Sequence, residues 1–256
     1  QGHIMHLFER ECSLQRRHQK IIEEAPANID IRIKEDLYHA AISFARNIGY
    51  TNAGTVEFLV DEAGNFHFLE MNPRIQVEHG ITEMITGIDI VKEQICIAEG
   101  NPLSILDQKI SAKGHSFEAR IYAEDPESDF IPAPGKIFAF VPPEMEGLRL
   151  DTAIESHSEV SASYDPMIAK IMVHEQTREE AIKKIAWAID HFAITGIRHN
   201  LSLLQQIFAD NDFHLQKTST QFLEAKTTTY LENILTHRQK INNHHLLIAA
   251  SLLVLG

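Results

Sequence analysis

Five polar side chains at alternate positions, Glu70, Asn72, Arg74, Gln76 and Glu78, dominate the stretch Phe68-Leu69-Glu70-Met71-Asn72-Pro73-Arg74-Ile75-Gln76-Val77-Glu78-His79. In an extended segment successive side chains point to opposite faces, so these five would share one side while Met71, Pro73, Ile75 and Val77 share the other. Two carboxylates, two amides and a guanidinium on one face can hold a cation and an anion side by side. A solvated edge strand is the plainer reading of such alternation, but it more often carries Lys, Thr and Ser. Pro73 has no N–H for a ladder, so regular pairing is expected to stop there and a binding loop to begin.

The residues before this stretch must position it. Residues 55–60 alternate, with Val56, Phe58 and Val60 on one face and Glu57 with Leu59 on the other. Asp61-Glu62-Ala63-Gly64-Asn65 reads as a turn, and residues 66–71 return antiparallel. A hairpin of this length brings Glu57 and Glu70 onto one face of adjacent strands. Carboxylates that close repel each other unless a proton or a cation lies between them. With Asn72 adding a neutral oxygen, the natural occupant is a hard divalent cation, Mg²⁺ that also touches phosphates; the alternative is a wet, purely structural acidic pair.

Further along, alternation returns at Phe117-Glu118-Ala119-Arg120-Ile121-Tyr122-Ala123-Glu124 and puts Glu118, Arg120 and Tyr122 on one face. An Arg on a strand is usually solvated; one sharing a face with Glu118 could be held rigidly for anion contact. The cation-dense run Arg10-Glu11-Cys12-Ser13-Leu14-Gln15-Arg16-Arg17-His18-Gln19-Lys20 is either a solvated basic loop or, lying beside the apolar-acidic Ile21-Ile22-Glu23-Glu24-Ala25-Pro26, a phosphate-binding segment.

Around these lie ordinary elements. A strand is expected over residues 4–9, an amphipathic helix over 30–48 stopped by Gly49, and two helical segments over 81–87 and 88–99 after a break at Gly80. Residues 125–143, rich in Pro and Gly, connect short strands, and 167–173 reads as a buried strand. Thr177 caps a helix carrying Ala181, Ile182, Ile185, Ala186, Ile189 and Phe192 and closed by Gly196, and a helix-rich region runs from about 200 to 237.

Length and composition bound the possibilities. The chain has 256 residues, 44% of them hydrophobic, enough for one large domain or two small ones. A net charge of −13 argues against nucleic acid as the main partner, so any anionic ligand must meet local positive charge or a metal. Two cysteines, Cys12 and Cys96, give no disulfide framework and suit a reducing compartment. No Cys/His metal spacing stands out. Residues 1–9 do not read as a signal peptide, and the apolar run 246–255 is too short to span a membrane, so a terminal helix or disordered tail is expected there.

Three runs closely resemble biotin carboxylase, the ATP-grasp component of biotin-dependent acyl-CoA and pyruvate carboxylases: Glu9-Arg10-Glu11-Cys12-Ser13-Leu14-Gln15-Arg16-Arg17-His18-Gln19-Lys20, Glu70 through His79, and Glu118-Ala119-Arg120-Ile121-Tyr122-Ala123-Glu124-Asp125-Pro126. The likeness extends from near Gly2 to about Glu224, through Tyr164-Asp165-Pro166-Met167-Ile168-Ala169-Lys170. It implies an α+β chain: the C-terminal portion of an ATP-grasp domain over 1–103, with an antiparallel sheet and flanking helices, a biotin carboxylase C-terminal domain over 104–224, and a helical or disordered tail over 225–256.

The resemblance also implies roles. Glu57, Glu70 and Asn72 would hold the Mg²⁺ or Mn²⁺ that bridges the ATP phosphates, which agrees with the hairpin argument, and His18 would lie at the ATP site. Lys20, Arg74, Gln76 and Val77 would form the bicarbonate pocket, and Glu78 would be the base that deprotonates bicarbonate. Carbonate would then attack the γ-phosphate to give carboxyphosphate, a transfer governed by charge neutralisation and alignment. Arg74 would act catalytically, and Arg120 would stabilise the biotin ureido anion. Implied partners are ATP, bicarbonate, a biotinylated carrier domain, a carboxyltransferase subunit and a second copy of the full-length chain, in the cytoplasm or the mitochondrial matrix.

Some features depart from the family. Gly80 stands where the family commonly has Pro and is expected to loosen the loop beside Glu78. The family's N-terminal domain and glycine-rich lid precede the motifs seen here, so this polypeptide alone is expected to be inactive or nearly so; no Ala-Met-Lys-Met biotinylation site is present, so the biotin is expected to come from another domain or subunit. A carbamoyl phosphate synthetase type of ATP-grasp ligase shares the Glu-x-Asn-x-Arg strand but not the Gln76-Val77-Glu78-His79 continuation or the Arg120 strand. A non-catalytic dimerisation remnant is the third reading; retention of every implied acid and base weighs against it.

Overall fold

The computed structural model describes residues 2–255, with side chains described through residue 240. Strand pairing begins at Glu11, which bridges to Glu24, and continues in a tight hairpin of β1 (Gln15–Arg16) and β2 (Gln19–Lys20). Strand β3 (Ile22–Ala25) is buried throughout. Helix α1 (Ile31–Asn47) starts where the sequence puts it: Asp30 caps it by accepting from the Arg32 N–H, and Gly49 follows its end with φ of 61°.

Strands β4 (Thr55–Val60) and β5 (Phe66–Asn72) form the expected hairpin, and the ladder ends immediately before Pro73. Helices α2 (His79–Thr86) and α3 (Ile90–Ala98) follow, separated by left-handed Gly87. Strand β6 (His115–Tyr122) is buried at every position. A run of short pieces then occupies the Pro- and Gly-rich region: β7 (Glu124–Asp125), β8 (Ile131–Pro132), β9 (Gly135–Lys136), β10 (Ala139–Val141), β11 (Leu148–Thr152) and β12 (Glu159–Val160). Strand β13 (Met167–Glu175) leads into α4 (Arg178–Asp190), whose Thr177–Glu180 capping box is complete. Strand β14 (Ala193–Thr195) and helices α5 (Leu201–Phe208), α6 (Asn211–His214) and α7 (Phe222–Leu255) finish the chain. The side chains of the expected terminal tail beyond residue 240 lie outside the described residues.

The central framework is a four-stranded antiparallel sheet in the order β11-β13-β6-β3. One face packs α4 and α5 into the main core, through residues such as Phe117, Ile121, Ile171, Ile185, Leu204 and Phe208. Burying these aliphatic and aromatic side chains is the main stabilising contribution, at about 25 cal/mol per Å² of apolar surface removed from water. Helix α2 covers the opposite face, with Ile81 and Ile85 against Ala25 and Met172. That second face carries the charged residues described below.

Three local expectations are corrected. Residues 4–9 form no strand: no neighbour pairs with them, Phe8 sits at φ of 67°, and the segment is fastened through Glu9, which accepts from the Ala27 N–H at 3.1 Å and pairs with Lys34 at 2.7 Å. Gly196 does not close α4, because β14 intervenes; its φ of 106° and a backbone that leaves a Cβ 2.3 Å from the Lys136 carbonyl demand glycine for a different reason. Gly80 is not a break but sits in the first turn of α2.

Candidate active site

From the turn the ladder pairs Val60 with Phe66, Leu59 with His67 and Phe58 with Phe68, a register that would set Glu57 opposite Leu69; an irregularity between Glu57 and Phe58 shifts it by one residue, so that Glu57 faces Glu70. Both carboxylates reach one amide: Asn72 Nδ2 donates to Glu70 Oε1 at 2.8 Å and to Glu57 Oε1 at 3.4 Å. Among the described residues no group of three or more His, Cys, Asp or Glu has metal-holding geometry. The donor set nevertheless fits a hard divalent cation: two facing carboxylates, with an amide that presents an oxygen to the same point once turned over.

Lys20, at the end of β2, joins this pair to the rest of the site. Its Nζ donates to Glu57 Oε1 at 2.8 Å and to Glu78 Oε1 at 2.7 Å. Gln76 supports the same oxygen, donating from Nε2 to Glu57 Oε1 at 2.6 Å, while its Oε1 accepts from Arg10 at 2.8 Å. Arg10 also donates to Thr82 and Thr55, so one guanidinium binds the hairpin to α2. Glu78 is the N-cap residue of α2 and is 2% exposed. Its second oxygen accepts from Arg120 at 2.9 Å.

These contacts set the protonation of the site. Burial alone would raise the Glu78 pKa, but Arg10, Lys20 and Arg120 outweigh it and hold the carboxyl below its ordinary value. Desolvation would lower Lys20, yet Cys12, Glu78 and its bonds to Glu57 and Glu78 leave it more firmly protonated than usual. Arg120 likewise resists desolvation through Glu23, Tyr122 and Glu78 and stays a fixed cation. Glu78 is therefore an ionised proton acceptor held between two cations.

Helix α2 is pinned to the charged face at three points. Lys170, the cross-strand partner of Arg120, donates to the Val77 carbonyl and pairs with Asp151 at 3.2 Å. Arg149 donates to Glu83 at 2.6 Å, one turn beyond Glu78. Between them Gly80 lies against the sheet: a Cβ there would meet Met172 Sδ at 2.3 Å and Arg149 Cζ at 3.6 Å. The glycine tightens the loop beside Glu78, contrary to the expected loosening, because it lets the helix settle onto a fully buried methionine.

Not every expected residue joins the cluster. His18 and Arg17 occupy the β1–β2 turn with φ of 66° and 49°, and His18 is exposed. Arg74 donates to the Ile75 carbonyl at 3.2 Å and to Asn72 Oδ1 at 3.3 Å, so it stands with the carboxylate pair, not with Glu78. Val77 contributes its carbonyl to Lys170. A cleft of about 740 Å³ is lined by Lys20, Glu57, Arg74, Gln76, Glu78 and Thr82 among others, whereas Arg120 lies behind Glu78. Sequence reading missed Arg10, Lys170 and Glu23 as members of this assembly. The signal for Lys170 and Glu23 is their cross-strand register with Arg120 and Glu118, which no local pattern reveals.

Comparison with known proteins gives the family. Residues 1–106 match the carbamoyl-phosphate synthase L chain, ATP binding domain, and residues 118–225 match the biotin carboxylase C-terminal domain. The chain is 50% identical over 224 residues to biotin carboxylase 2 of Bacillus subtilis, covering 87% of this chain and 50% of that protein. It is 42% identical over 256 residues to the α subunit of mitochondrial methylcrotonoyl-CoA carboxylase of Dictyostelium discoideum, covering 99% of this chain and 36% of that protein. Among solved structures, the biotin carboxylase domain of a thermophilic 2-oxoglutarate carboxylase bound to bicarbonate superposes with a TM-score of 0.87 at 41% identity, over 90% of this chain and 52% of that one. The Hydrogenobacter thermophilus 2-oxoglutarate carboxylase domain dimer with MgADP, ADP and bicarbonate gives 0.86 at 41% identity, over 90% and 51%. The second half of the chain and the relatives' names thus favour the biotin-dependent reading over the carbamoyl phosphate synthetase one. The chain belongs to the biotin carboxylase family, and it spans about half the length, or less, of the curated relatives it matches.

Proposed function

We propose that this chain supplies the base and part of the metal and bicarbonate sites for ATP-dependent carboxylation of biotin, carried on a separate domain, through carboxyphosphate. The observation that carries the reading is Lys20, whose Nζ lies within 2.8 Å of Glu57 and 2.7 Å of Glu78 and so joins a metal-type carboxylate pair to a buried proton acceptor. Glu57, Glu70 and Asn72 hold Mg²⁺ or Mn²⁺; the cation neutralises charge on the ATP phosphates. His18 contacts the nucleotide from the β1–β2 turn. Lys20, Arg74, Gln76 and the Val77 backbone hold bicarbonate, with Arg74 turned from Asn72 toward the anion as a catalytic cation.

Glu78 takes the bicarbonate proton; the carbonate oxygen bonds to the γ-phosphorus, the bond to ADP breaks, and carboxyphosphate forms. Its breakdown gives CO₂ and phosphate; the phosphate accepts the proton of the biotin ureido nitrogen, and that nitrogen bonds to the carbon of CO₂. Arg120 is the fixed cation near which negative charge develops. Residues 1–103 form the C-terminal portion of the ATP-grasp domain, 104–224 the biotin carboxylase C-terminal domain and 225–256 a tail. The intact protein works as a homodimer with a carboxyltransferase subunit, in the cytoplasm or the mitochondrial matrix. Among the described residues no helix is long and apolar enough to cross a membrane.

The test is turnover by the intact protein that carries this chain. ATP consumption should require both bicarbonate and biotin and should ignore ammonia. Ammonia-dependent turnover, or Mg²⁺–nucleotide binding with no response to either substrate, would overturn the reading.

A further inference from the structure

Behind the site lies a second pair of facing carboxylates. The β3–β6 register sets Glu23 directly opposite Glu118, and both are 0% exposed. No oxygen of either acid receives a regular hydrogen bond; Glu23 is in close ion-pair contact with Arg120, whereas the nearest cations to Glu118, Lys170 and Arg120, stand 3.8 and 3.9 Å away. Those cations are already engaged. Lys170 serves Asp151 and the Val77 carbonyl, Lys20 serves Glu57 and Glu78, and Arg149 serves Asp151 and Glu83. Arg120 is left facing Glu23, Glu78 and Glu118. An ionised buried carboxylate without a donor is among the costliest groups a fold can hold, and two of them cannot stay ionised side by side.

We propose that Glu23 and Glu118 share one proton, carried by Glu118, and that this acid–carboxylate pair is a positioning element that fixes the Arg120 guanidinium against Glu78. The chemistry is that of a carboxylate dyad in which only one member has a cation in direct contact. Burial pushes both acids upward, and Glu118 lacks a cation in direct contact to offset it. The neutral member leaves Arg120 attracted in two directions, toward Glu23 in the sheet and toward Glu78 at the head of α2, and not in a third. Loss of the proton would place a third full anion beside Arg120, the second within the sheet, and draw it back from Glu78. This extends the proposed function, since it assigns a use to the setting of Arg120.

The experiment is isotope-edited infrared spectroscopy of the intact protein, with Glu124, another buried acid whose pKa is pushed to about 7, replaced by Gln throughout. A protonated-carboxyl band is expected at neutral pH and should vanish reversibly at alkaline pH. Either E118Q or E23Q alone should remove it, because the surviving acid then has Arg120 to itself. In turnover, kcat should fall at alkaline pH in the parent protein, E118Q should remove that fall, and E23Q should lower kcat tenfold or more while KM for ATP stays within twofold. No band at neutral pH, or a band that survives both single substitutions, overturns the shared proton. The band with its substitution pattern but an alkaline limb unchanged in E118Q overturns the positioning role. A parent protein that shows the band but no bicarbonate-dependent turnover leaves the dyad standing and refutes the proposed function instead.

Discussion

Two pairs of glutamates face each other across neighbouring strands, Glu57 with Glu70 in the hairpin and Glu23 with Glu118 in the four-stranded sheet, and their settings are opposite. Glu70 is exposed and, among the described residues, its side chain is hydrogen-bonded to a neutral amide and to no cation, so the hairpin pair can draw a cation from solvent. The sheet pair has no access to solvent and must carry its neutralisation within the fold, through Arg120, Lys170 and a proton. The same local motif is a ligand site where water reaches it and a structural device where water does not. Lys20 and Glu78 lie between the two settings and connect them.

Removing a cation should therefore have very different costs in the two places. The largest effect expected is for Arg120→Met, which leaves Glu23, Glu78 and Glu118 without their central partner; a loss of about 3–5 kcal/mol in urea unfolding follows from breaking a buried pair. Unchanged stability would mean the sheet pair is as wet as the hairpin one. Gly80→Ala should cost about 1–3 kcal/mol by overpacking against Met172, and truncating Met172 to Ala in the same chain should recover part of it. An additive double variant would show that the helix does not rest on that methionine.

Thr177→Ala removes a capping box remote from both pairs and should cost about 1 kcal/mol without altering metal binding. Smallest is Glu70→Gln, which relieves like-charge repulsion across the strands: stability should hold or rise by a few tenths of a kcal/mol while Mn²⁺ affinity falls. A large loss of stability there would contradict an exposed, cation-seeking pair.

Acidity separates the regions as well. Glu23 and Glu124 are pushed by burial to about 7, and burial raises Glu118 as well. An acid raised in the folded state is protonated there when the unfolded chain has already ionised, so stability is full below the ordinary carboxylate range and falls as pH rises toward the folded values. Glu78, held low, works the other way: its contribution is present above the ordinary range and is lost as pH falls through its lowered value. Thermal midpoints should thus decline between about pH 5 and 8, and E118Q should flatten the decline. A steeper decline in that variant would contradict the buried-acid account.

Much of this was legible in the sequence where the cause is local. Asp30 and Thr177 announce their helices by capping, and the turn at 61–65 announces the β4–β5 hairpin, whereas the one-residue irregularity after Glu57 that brings it opposite Glu70 leaves no mark on the sequence pattern. Pro73 ends the ladder as its missing N–H demands, and Gln76 and Glu78 still reach Glu57 and Lys20, by way of a loop and a helix start instead of a continued strand. What escaped reading depends on partners distant in the chain. Glu23, Glu118 and Lys170 meet only because β3, β6 and β13 are neighbours, and Gly80 looks like a breaker until Met172 is seen beneath it. Residues 4–9 are apolar enough to suggest a strand, but a strand without a neighbour makes no ladder.

The central claim is that the carboxylate pair and the buried base are two parts of one site with separable jobs. Its most direct test is the Glu78→Gln variant of the intact protein, assayed for bicarbonate-dependent ATP turnover and for Mn²⁺–ADP binding on the same preparation. Turnover should fall about a hundredfold or more, the scale of a lost general base, while Mn²⁺–ADP affinity stays within about threefold. Turnover within twofold of the parent, or equal loss of both properties, would contradict it.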